Sequence, residues 1–110
     1  MVGKIEIYYS PEVADFIDNL AHVLYTQEYF GFIEDANNYV DKLVFKIETN
    51  IHKLKHHPTD NSHKSFGKYY VIIVSNKQTA WHVYFDKREN TYIVNKIENN
   101  HLPSAKYLND

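Results

Sequence analysis

The 110-residue chain has no cysteine, a single arginine (Arg88), one methionine, one tryptophan, three glycines and three prolines. Without cysteine, a disulfide framework, a thiol nucleophile and a Cys-type zinc site are excluded, and a reducing, cytoplasmic setting is permitted. The scarcity of arginine weakens any reading that depends on clamping phosphate, because nucleic-acid affinity scales with the cations presented. Lysine plus arginine number 12 against 14 acidic residues, a formal net charge of −2 that protonation of the seven histidines would reverse. No stretch approaches the ~20 apolar residues of a membrane helix, and the opening MVGKIEIYYS predicts no signal segment. The length suits a single domain over residues 1–110.

Aromatic residues are plentiful, with ten tyrosines and six phenylalanines. The most legible stretch is TAWHVYFDKRENTYIVNKIENNH, where Thr79 to Phe85 and Thr91 to Ile97 read as two strands around a polar turn at Asp86–Asn90. In the first of these, Trp81, Val83 and Phe85 share one face and His82 and Tyr84 the other. Lys4 to Tyr9 alternates as a short strand and stops at Ser10-Pro11, which reads as a cap and first helical position. Val13, Phe16, Ile17, Leu20, Ala21 and Leu24 then recur at helical spacing, and Gly31 is the expected left-handed closing residue. A second helix is predicted from about Ile33 towards Pro58, through Ala36, Val40, Leu43, Val44, Ile47, Ile51 and Leu54. Thr59 to Ser65 is expected to be a mobile loop. YYVIIV, apolar on both parities, reads as a strand covered on both faces or central in a sheet, with a turn at Asn76-Lys77-Gln78 before Thr79. The predicted order is β-α-α-β-β-β, an α+β fold with a helical hairpin on one face of a small antiparallel sheet. Phe16, Leu20, Val40 and Ile47 are expected to pack onto Trp81, Val83 and Phe85. The tail HLPSAKYLND carries no readable pattern.

That order, with SPEVADFIDNL opening the first helix and a meander ending in VNKIENNH, resembles the RelE/ParE superfamily of bacterial toxins over residues 4 to 101. The resemblance implies the toxin half of a type II toxin–antitoxin pair, silenced by a cognate antitoxin. The implied target is either DNA gyrase, which is bound, or messenger RNA on the ribosome, which is cut. Where related nucleases commonly carry an arginine, this chain has His82, and His101 falls where they carry a terminal basic or aromatic group. The candidates for chemistry are His82, Tyr84, Lys96 and His101, since imidazole exchanges protons near neutrality, tyrosine donates to a leaving oxygen and lysine holds phosphate. Lys68, Tyr70, Tyr92 and Arg88 are the candidates for binding phosphate or a partner. The competing reading makes the same face an ordinary interface, and that reading is the stronger on charge. No cofactor is implied. His52 and His56 stand four apart near His57 and His63, but no H-E-x-x-H is present and no metal is predicted; solvated histidines at a helix end are the expectation. Tyr25, Tyr29, Phe30 and Phe32 at the hairpin tip either cap the open end of the core or, with the general aromatic excess, suggest association with an antitoxin or as a homodimer.

Overall fold

A computed structural model describes residues 4–75 and 79–99. The turn expected at Asn76–Gln78 and everything from residue 100 onward, His101 included, lie outside the described residues. In chain order the elements are β1 (Glu6–Tyr9), α1 (Pro11–Thr26), α2 (Ile33–Asn50), β2 (His57–Pro58), a 3-10 helix (Asn61–Phe66), β3 (Tyr69–Val74), β4 (Ala80–Arg88) and β5 (Thr91–Asn99). The fold class is α+β, with one sheet ordered β1-β5-β4-β3-β2.

The sheet is mixed, which corrects the antiparallel expectation. β1 runs parallel to β5, with Glu6 opposite Thr91 and Tyr9 opposite Val94. Alternation reports which side of a strand is buried and carries no strand direction, whereas a parallel pair needs only a long crossover between its members. The helical hairpin and the meander together supply that crossover. A second correction is β2, whose two residues pair with Tyr69 and Tyr70 of β3 and are too few to show a pattern in the sequence.

Helix α1 begins as its sequence dictates: the Ser10 hydroxyl accepts from the Val13 amide at 3.2 Å, and Pro11 gives up a donor that would be unpaired. It closes differently. The amides of Glu28 and Tyr29 donate to the carbonyls of Tyr25 and Leu24, and Glu28 takes φ 63°. That is the left-handed closure expected of Gly31, carried out by a residue with a Cβ at a cost of about 1 kcal/mol. Helix α2 stops at Asn50, well short of Pro58. Near its end the Thr49 hydroxyl donates to the Phe45 carbonyl and the Asn50 amide to that of Lys46, side-chain bonds of the kind that compete with helix continuation. Ile51, fully buried, then anchors the turn that leads to β2. Thr59 to Ser65 is likewise not a plain loop: the Asp60 carboxylate accepts from the His63 amide at 3.0 Å and caps the 3-10 helix.

The core lies between the helical hairpin and one sheet face. Trp81, Val83 and Phe85 are fully buried and cluster with Leu20, Val40 and Ile47, with Phe16 edge-on to Trp81 at 6.4 Å, as the periodicities predict. β3 lies inside the sheet between β4 and β2, the second of the two expectations for YYVIIV; Val71 and Ile73 are buried on its helix side, whereas Val74 on the other face is 60% exposed. The β4–β5 turn is also tighter than expected, because Asp86, Lys87 and Arg88 continue the strand and Glu89 with Asn90 alone make the connection. Asp86 is held by the Lys68 amide at 3.0 Å and the Asn95 side chain at 3.1 Å. No helix among the described residues is long and apolar enough to cross a membrane.

Candidate functional site: a histidine and tyrosine cluster on the open sheet face

Alternation along β4 buries Trp81, Val83 and Phe85 under the helices and turns His82 and Tyr84 to the opposite face. The register then decides what joins them. Tyr70 on β3 stands opposite Tyr84, with ring centroids 5.3 Å apart, and its ring also meets His82 edge-on at 5.4 Å. His57 on β2 pairs with Tyr70 and stacks on it at 5.0 Å and 22°. The 3-10 helix folds back over this surface, placing His63 parallel to Tyr84 at 6.0 Å and Phe66 edge-on to it at 5.2 Å. Tyr84 is thereby only 8% exposed although it lies on the face away from the helices.

A bulge in β5 brings the last two members. Phe85 pairs with Val94 and Tyr84 with Lys96, so Asn95 is an extra residue and the strand's parity reverses there. Before the bulge Tyr92 and Val94 point into the core; after it Lys96 faces outward beside Tyr84, and Glu98 faces outward opposite His82. The Lys96 ammonium lies 5.3 Å from the Phe66 ring centroid.

The electrostatics follow from this crowding. Burial lowers the His82 pKa, the Glu98 carboxylate pulls it back up and the nearby His57 lowers it, leaving a net downward shift, so the ring is neutral at pH 7. Burial, then the negative charge of Glu98 and the neighbouring Tyr70 and Asp60, raises the Tyr84 pKa and keeps its phenol protonated. The Asp60 carboxyl is lowered mainly by its hydrogen bond to His63, at 2.7 Å, and then by that to Ser62. The face therefore offers a neutral imidazole, a protonated phenol, flat rings and one central ammonium.

Of the expected site residues, the structure brings His82, Tyr84, Lys96 and Tyr70 together. Lys68 sits at the margin, lining a cavity of about 490 Å³ with Thr59, Lys64 and Asp86. Arg88 is exposed at the far end of β4, paired with Thr91. Tyr92 is on the other face, 2% exposed, with its ring against Phe85 and His56. His57, His63, Phe66 and Glu98 complete the cluster without having been singled out for it. The first two stood in the sequence only as part of a histidine run, and Glu98 becomes visible once His82 is paired across the strands. Of the histidines in that run His52 is exposed, as expected, whereas His56 packs on Phe85 at 5.0 Å and bonds the Ile51 carbonyl through Nε2, and His57 stacks on Tyr70. Among the described residues no three His, Asp or Glu side chains are placed to hold a metal ion. Comparison with known proteins finds no matching family model, no matching curated protein and no matching solved structure.

Proposed function

We propose that the chain is a RelE/ParE-type toxin of a type II toxin–antitoxin pair, acting in the cytoplasm by binding gyrase or another target through its open sheet face and silenced by a cognate antitoxin. The observation that carries this reading is the ring cluster of His57, Tyr70 and His82, built over the buried Tyr84 on the sheet face away from the core. Aromatic-rich patches of this kind are characteristic of interface centres. The helical hairpin set between β1 and the meander supports the family reading, while the short β2 and the parallel β1–β5 pair depart from the order the resemblance implied. Exposed Phe32 and Phe45, at 69% and 67%, support association with an antitoxin or a second copy.

A second reading, ribosome-dependent cleavage of messenger RNA, is favoured by one specific feature. A neutral His82 beside a protonated Tyr84 is an acid–base pair in the right ionisation states, and Lys96 is at hand for phosphate. Against it, Lys96 is the cluster's only lysine or arginine among the described residues, and cleavage through a 2′-hydroxyl builds phosphate charge that fixed cations must stabilise. Induction in a bacterial host, followed by RNA-end mapping and a gyrase supercoiling assay, separates the two. Gyrase inhibition with intact RNA supports the binder; ribosome-dependent cuts lost in His82→Ala and Lys96→Ala support the nuclease. Normal growth with neither effect removes the toxin assignment.

A further inference from the structure

The two halves of β5 differ in what lies beside them. β1 pairs with Thr91 to Val94, and the last bond, from the Ser10 amide to the Val94 carbonyl at 2.9 Å, coincides with the turn of the chain into α1. From Asn95 to Glu98 the edge of β5 away from β4 has no strand partner among the described residues. A groove runs along this edge beneath α1. It comprises a hollow of about 370 Å³ and a smaller one of about 60 Å³ that share Phe16, Lys96 and Ile97. Phe16, Leu20, Val23 and Ile97 give it an apolar floor, and Glu12 and Asp15 form the α1 wall.

We infer that this groove receives an extended, basic segment of a partner protein, added to the sheet as a further strand beside β5. Unpaired backbone along a sheet edge is satisfied by another extended backbone, and alternate side chains of an added strand face the same way. An apolar residue at one position would rest on Phe16 and Ile97, and a lysine or arginine on the rim would meet Asp15 and Glu12. The same wall disfavours a second copy of this chain, since pairing β5 with β5 would bring two acidic rims together. The inference rests on the edge and the groove alone and stands whether or not the open face serves a toxin.

The test is a two-dimensional amide NMR titration of the intact protein with a short synthetic peptide alternating valine and lysine, against the same peptide with glutamate for lysine. Shifts confined to Asn95–Glu98 and the facing residues of α1, with the lysine peptide binding about tenfold more tightly than the glutamate one, are expected. Asp15→Lys, an exposed change whose folding the same spectrum verifies, should remove that preference. The inference is overturned if no amide in the groove moves, if both peptides bind alike, if Asp15→Lys leaves the preference intact, or if raising the protein concentration alone perturbs the groove, which would mark a second copy as its occupant.

Discussion

Gly67 is the residue on which the open face depends most directly. Its φ of 132° is one that L side chains rarely adopt, and a Cβ there would lie 2.7 Å from both the carbonyl carbon and the carbonyl oxygen of Phe85. The close approach lets the 3-10 helix run straight into β3 and lie over Tyr84. Gly67→Ala is expected to destabilise the fold by about 3 kcal/mol, read from a chemical denaturation midpoint, because neither backbone can yield without breaking β3–β4 pairing. Glu28 is the opposite case, a left-handed residue with no need of its side chain there. Glu28→Gly should leave the midpoint unchanged or raise it, by up to about 1 kcal/mol. The folded pKa of His82 lies below the unfolded value of 6.5, so the unfolded chain binds the proton more readily. Stability is then fully present above about pH 6.5 and declines as pH falls towards the folded value. Denaturation midpoints at pH 7 and pH 5 should differ less in His82→Gln than in the wild type.

At the scale of elements, one hydroxyl ties α2 to both β4 and the end of β3. Tyr39 accepts from the Trp81 indole N–H at 2.9 Å and shares a hydrogen bond with Ser75 at 2.7 Å. Tyr39→Phe leaves a donor on a fully buried ring unpaired and should cost about 1–3 kcal/mol, and Trp81→Ala about 3–5 kcal/mol. Denaturation of both variants checks this, and midpoints that barely move would invert the face assignment. Elements whose signals are local were legible in the sequence: Ser10-Pro11 opens α1, the apolar stripes select the hairpin's buried side, and Trp81, Val83 and Phe85 form the core face. Features set by contact between distant segments were not. The direction of β1 comes from its pairing with β5, the length of β2 is below any periodicity, and the parity reversal at Asn95 depends on register with β4. That bulge sets the geometry at the site, where Lys96 shares a face with His82 and Tyr84 while Tyr92, of the same sequence parity, faces the core.

For the whole molecule, the helices cover one face of the sheet and leave the other to a cluster of rings with a single ammonium at its centre. A surface of this make-up suits recognition by stacking and shape more than by charge, in keeping with a formal net charge of −2. The proposed toxin arrests growth by engaging its target through this face. Colony formation is measured after induced expression of the wild type and of the double variant Tyr70→Ala, His82→Ala, with folding and expression level matched. Arrest by the wild type and growth with the variant are expected. Normal growth under wild-type induction, or equal arrest by the folded double variant, would overturn the proposal.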